Sequence, residues 1–121
     1  MAFIYFETGE KIPDNGATYE FSAETSEADT ESYNTAPLVV GEANRTGNAI
    51  VGEATNETGE PVVGPYGAEV YCFAGNKLVG RTGSFAEEDG DVAPDGTVHF
   101  TVDLFDTSCK SFAIGVSGYF A

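Results

Sequence analysis

The chain has 121 residues, 41 % of them hydrophobic and 12 % aromatic, with 15 glycines and 5 prolines. That suits one domain, two at most, with enough apolar material for a core and too much for a disordered acidic tail. Five basic against 20 acidic residues give a formal charge of −15; such a surface repels the phosphates of nucleic acid and anionic membrane, and no apolar run is long enough to cross a bilayer as a helix.

Met1–Glu7 is the first predicted strand. Ala2, Ile4 and Phe6 fall on one face, Phe3 and Tyr5 on the other. Two apolar faces need cover on both sides. Phe3, Ile4, Tyr5 and Phe6 are therefore the expected interface with a neighbouring subunit, in a homo-oligomer or with a partner protein. The competing arrangement folds the chain's own acidic connection, with Tyr33, back over this face. Residues 9–16 form a turn, because Pro13 fixes φ and Asn15-Gly16 tolerates positive φ. Thr18–Glu24 alternates as a half-buried strand, with Tyr19, Phe21 and Ala23 inward. Residues 25–36 are polar and acidic without a period, and read as an exposed connection.

Strands then follow closely. Pro37–Ala43 and Asn48–Ala54 are near-copies eleven residues apart, V-V-G-E-A and I-V-G-E-A, and fit two successive strands. Val62-Val63 opens the next segment, which Pro61 and Pro65 confine to an edge or bulge. Ala68–Ala74 places Val70 and Cys72 on one face, Tyr71 and Phe73 on the other. Gly75-Asn76 is a primed hairpin turn leading into Lys77–Phe85. An acidic loop spans 86–96. Thr97–Phe105 points Val98, Phe100, Val102 and Leu104 inward and His99, Thr101 and Asp103 outward. Ser111–Phe120 ends the series, with Phe112, Ile114, Val116 and Phe120 on one face. Its other face, Ala113, Gly115, Ser117 and Tyr119, is small enough to lie under another layer. About eight strands with no helical period predict an all-β, antiparallel β-sandwich of immunoglobulin-like type. Residues 1–34 would hold the N-terminal strands and acidic connection, and 35–121 the sandwich.

Few residues suggest chemistry. There is one histidine, and no C-x-x-C, H-E-x-x-H, P-loop, G-x-S-x-G or dinucleotide fingerprint. An enzyme, a metal site and a cofactor are not expected. The run Glu87, Glu88, Asp89, Asp91 lacks the spacing of a Ca²⁺ loop and reads as a solvated turn. Cys72 and Cys109 are either a disulfide or two buried thiols. Asn44-Arg45-Thr46 and Asn56-Glu57-Thr58 are N-x-T motifs in predicted turns, so Asn44 and Asn56 are candidate glycosylation sites. Phe6–Phe21 and Phe85–Phe100 share an aromatic, an acidic turn and Pro-Asp-(Asn)-Gly before a strand; two half-domains could be related this way, but convergent turn chemistry is the favoured reading.

V-V-G-E (39–42), N-E-T-G-E-P-V (56–62), G-N-K-L-V-G (75–80) and A-P-D-G-T-V-H-F (93–100) together resemble the FxLyD-type immunoglobulin-like domains of prokaryotic surface proteins. The resemblance covers residues 37–104; the naming motif is replaced by V-Y-C-F-A (70–74). It implies a non-catalytic sandwich that presents or carries something, and transfers no functional residues. The dispersed acidic charge resembles that of proteins from salt-loving archaea and their viruses, where high salt screens the self-repulsion; an ordinary acidic bacterial surface domain is the plainer alternative. The start of the chain has no basic region, long apolar stretch or cleavage site, so it does not read as a secretory signal. A virion protein reconciles that start with a surface-type domain, because it is made inside the cell and faces outward after lysis. An excised piece of a secreted protein does so equally. The expected role is a structural or interaction subunit at a virion surface, such as a capsid-decoration protein of a halophilic archaeal virus. The alternative is an extracellular or cell-surface module binding a small ligand or glycan.

Overall fold

A computed structural model describes Thr18, Glu20, Ser22, Glu24 and residues 34–121. The four isolated residues lie in no strand, and Met1–Glu7 falls outside the described residues. The described part is all-β, with six strands: β1 (Thr35–Thr46), β2 (Ala49–Thr55), β3 (Val62–Ala74), β4 (Lys77–Phe85), β5 (Thr97–Asp103) and β6 (Ser111–Phe120). They form one antiparallel sheet in the order β4-β3-β6-β1-β2-β5.

The sheet curls until its two end strands meet. Ala86, just past β4, bridges Phe100 of β5, and the Glu87 N–H donates to the His99 carbonyl at 2.8 Å. The Thr82 hydroxyl donates to the Asp103 carbonyl at 3.0 Å. Curling is the physical answer to the composition: each strand has one apolar face, and rolling the sheet turns those faces toward each other. Val98, Phe100, Val102 and Leu104 are buried as their alternation predicts, while His99, Thr101 and Asp103 are exposed. Ile50 and Ala54 of β2, Val70 and Cys72 of β3, Ala36 and Leu38 of β1 and Val116 of β6 join them in the core.

β1 makes the corner. Thr35–Leu38 pair with β6; from Val39 onward the strand pairs with β2, with a register shift between Val40 and Ala43. Where Pro37 sits, β1 has a neighbour on one side only among the described residues, which suits a residue lacking N–H. The near-copies at 39–43 and 50–54 are the two arms of the β1–β2 hairpin, turned at Gly47 with φ +62°.

The 62–74 region differs from expectation. Val62-Val63 and Ala68–Ala74 are not separate strands but one, β3, which contains a cis Gly64–Pro65 bond and a register shift between Val63 and Gly67. Pro65 thus sits at a bulge near the start of the strand, as the prolines suggest, and Pro61 immediately precedes its first residue. Tyr66 fills the space beneath it. Its ring is fully buried against Gly118, where a Cβ would sit 2.6 Å from the ring and 2.8 Å from the Val63 carbonyl. Only glycine allows that approach. The Gly75-Asn76 turn forms as predicted, with φ +63° at Gly75.

Candidate functional site

Cys72 and Cys109 form a disulfide, with Cα atoms 4.8 Å apart. Cys72 points inward from the middle of β3, and Cys109 lies on the connection into β6; both are buried. The bond closes a loop across 37 positions, which by loop-closure entropy is worth about 4 kcal/mol. Arg45, near the end of β1, donates from Nη1 to the Cys109 carbonyl at 2.6 Å. The same connection is therefore tied to both halves of the curled sheet.

The two N-x-T motifs have different fates. Asn44 is exposed, on β1 opposite Val51, not in a turn. Asn56 is fully buried. Its Nδ2 donates to the Glu60 carbonyl at 2.8 Å and the Val92 carbonyl at 3.1 Å. Its Oδ1 accepts from the Thr58 N–H at 3.1 Å and the Thr58 hydroxyl at 2.7 Å. A glycan needs Nδ2 free and facing water, so the folded structure excludes Asn56 as an acceptor. The motif is instead an Asx turn that joins the 56–60 segment to the acidic loop. The sequence contained that signal, since Asn followed two residues later by Thr suits either role.

The acidic loop is also anchored. Val62 and Val92 exchange backbone hydrogen bonds of 3.0 and 2.8 Å. The Tyr66 hydroxyl lies 2.8 Å from the Val62 carbonyl and 2.7 Å from the Gly90 carbonyl. Burial pushes the Tyr66 pKa up, and the nearby Asp91 charge adds to this. Among the described residues no group of three His, Cys, Asp or Glu is placed to hold a metal ion.

His99 is exposed, as expected of its face, but it is engaged. Its Nδ1 lies 2.7 Å from Glu88 Oε1, its backbone N–H donates to Glu88 Oε2 at 2.7 Å, and Nε2 lies 3.9 Å from Glu53. The Glu88 hydrogen bond, then the charges of Glu88, Glu53 and Glu87, hold the imidazole pKa above its usual value despite some desolvation. Partial burial opposes the charged Glu88 carboxylate, but the bonds from the His99 ring and backbone outweigh it and its pKa falls. This is a clip between loop and strand. Sequence reading missed the pairing because Glu88 and His99 are eleven positions apart across a loop.

A further feature is a change of strand partner beside β6. Among the described residues, Ser111–Gly115 of β6 pair only with β3, because β1 leaves β6 after Leu38. Val40, Ala43, Phe112 and Ile114 are only half-buried against the core. On the outer face, a shallow hollow is lined by Glu69, Tyr71, Gly115, Val116 and Ser117. A Cβ on Gly115 would meet no described atom within 4 Å. The small residues of β6 thus lie under no other layer of described residues. Phe3, Ile4, Tyr5 and Phe6, the predicted interface, lie outside the described residues.

No family model matches the chain, and neither a curated protein nor a solved structure matches it.

Proposed function

We propose that this chain is a non-enzymatic structural and interaction subunit of an exterior assembly, a virion-surface protein of the capsid-decoration type from a halophilic archaeal virus. The observation that carries the exterior placement is the Cys72–Cys109 disulfide, which uses both cysteines of the chain. Such bonds persist chiefly where the surroundings are oxidising. The charge of −15 supports the saline setting, since about 1 M salt shortens the Debye length to roughly 3 Å and removes most self-repulsion. The strand pairings support reading the curled sheet as an immunoglobulin-like sandwich: β1-β2-β5 would form one layer, and β4-β3-β6 with the start of β1 the other. Residues 2–7 supply the contact to other subunits.

Sedimentation of the full chain at about 0.15 and 2 M salt, spanning the range in which screening becomes short-ranged, tests this. The expected result is a defined oligomer and a melting temperature that rises with salt. A monomer at both concentrations removes the assembly role, and a flat or falling melting temperature removes the saline setting.

One observation favours a second reading, a secreted or cell-surface module for glycans. Phe85 is 70 % exposed and ends a groove with Glu69 and Arg81, pairing an aromatic face with polar groups. Loss of glycan retention in Phe85→Ala would support it; no retention by the wild type would end it.

A further inference from the structure

The fold treats the two N-x-T motifs in contrary ways, and the contrast points to a modification. Resting on the exterior placement argued above, we propose that Asn44 is the acceptor of an N-linked glycan, with Asn44-Arg45-Thr46 as its recognition motif.

Such a motif must present the asparagine amide together with the hydroxyl two residues on. In the 56–58 motif the fold engages both. Asn56 Nδ2 is bonded to two carbonyls, and the Thr58 hydroxyl donates to Asn56 Oδ1 at 2.7 Å. The 44–46 motif is used differently. Residues two apart in a strand share a face. Ala43 packs against the core, so alternation sends Asn44 and Thr46 to the outer face, where both are exposed. Among the described residues no side-chain hydrogen bond engages either of them. The residue that the fold holds is Arg45 between them. Its Nη1 donates to the Cys109 carbonyl at 2.6 Å and its Nε to the Gly47 carbonyl at 3.2 Å. That tether fixes the end of β1 with the acceptor and its threonine side by side on the outside.

The surroundings match a sugar. Asn44 lies opposite Val51, which is 42 % exposed. The two line a hollow with Glu42, Gly52, Glu53 and His99. A pyranose has an apolar C–H face and a rim of hydroxyls. The Val51 methyls give the face an apolar floor, and the Glu42 and Glu53 carboxylates accept from the hydroxyls. Thr46 immediately precedes the turn at Gly47, so the glycan leaves near the tip of the β1–β2 hairpin. The reacting atom is a side-chain nitrogen, and the backbone pairing of β1 with β2 is untouched.

In the reaction, Nδ2 of Asn44 forms a bond to the anomeric carbon of an oligosaccharide carried on a polyprenyl phosphate. The bond from that carbon to the phosphate oxygen breaks, and the phosphate leaves with the electron pair. The amide releases one proton to a base of the transferring enzyme. Transfer takes place across a membrane from the cytoplasm, where oxidising surroundings also favour the Cys72–Cys109 bond. Transfer to the unfolded chain can reach both motifs, but Asn56 is fully buried, so only a glycan on Asn44 is compatible with the folded protein.

The test is secretion of the full chain, behind a cleavable leader, from a salt-loving archaeal host that N-glycosylates its own surface protein, which serves as the internal control. Peptide mass spectrometry of the folded product reads both sites, and a cooperative melting transition establishes that it is folded. The expected result is one oligosaccharide on Asn44 and none on Asn56. The added mass should vanish in Asn44→Gln and in Thr46→Ala and persist in Thr46→Ser. These positions are exposed, so the variants leave the fold intact. An unmodified Asn44 in a folded product whose control protein is modified overturns the proposal. So does a glycan on Asn44 that persists in Thr46→Ala, or one on Asn56 in the folded chain. Thiol titration of the same product separates the failures: a disulfide-bonded but unmodified chain overturns the acceptor alone, and free thiols overturn the exterior placement as well.

Discussion

Replacing Asn56 with alanine tests whether this residue is a structural clamp. Its side chain has four partners within 3.1 Å and no exposed surface. A net hydrogen bond is worth about 1 kcal/mol, so the upper figure is about 4 kcal/mol. Two partners are partly rescued. The Val92 carbonyl keeps the Val62 N–H at 3.0 Å, and the Thr58 hydroxyl can turn to the Glu60 carbonyl at 3.0 Å. The expected loss is therefore about 3 kcal/mol, a large share of a small domain's stability. Asn56→Asp should be worse near neutral pH. It keeps the acceptor for Thr58 but places a second oxygen against two carbonyl oxygens and buries a charge. Protonation removes that charge, so its deficit relative to alanine should shrink toward acid pH. Urea unfolding followed by Tyr fluorescence gives both values, with a lower midpoint and an unchanged slope. A loss below about 1 kcal/mol in Asn56→Ala, or an aspartate variant as stable as wild type at neutral pH, would refute the reasoning.

Three further outcomes follow from the same packing. Phe100→Ala should lose about 3–5 kcal/mol in denaturant unfolding through the emptied core volume, whereas Thr101→Ala on the opposite face should stay within about 0.5 kcal/mol. Replacing both Cys72 and Cys109 by alanine should cost about 4 kcal/mol, and wild type in reductant should approach the same midpoint once the bond opens. The His99 pKa is raised in the folded state, so its contribution is complete below the unfolded value near 6.5 and is lost as pH rises through the folded value. Melting temperature measured upward from about pH 6 should fall more steeply for wild type than for His99→Gln, and identical slopes would exclude the Glu88 clip.

Local pattern was enough to determine the all-β class. In β5 every inward and outward residue follows from alternation, because a strand has a period of two and one face must leave water. The Gly75-Asn76 hairpin was equally readable, since its turn needs residues that accept positive φ. What sequence could not determine depends on residues distant along the chain. Cys72 and Cys109 read as bonded or free until the fold set their Cα atoms 4.8 Å apart. Asn56 read as a glycan acceptor until the acidic loop closed over it. Pro61 and Pro65 suggested an edge or bulge, and an irregularity does lie between Val63 and Gly67, but that Val62-Val63 and Ala68–Ala74 form one strand was not readable, because it depends on β6 pairing on both sides of the irregularity. The change of partner by β1 at Leu38, from β6 to β2, has no local signature either, because only the arrangement of three strands in space determines it.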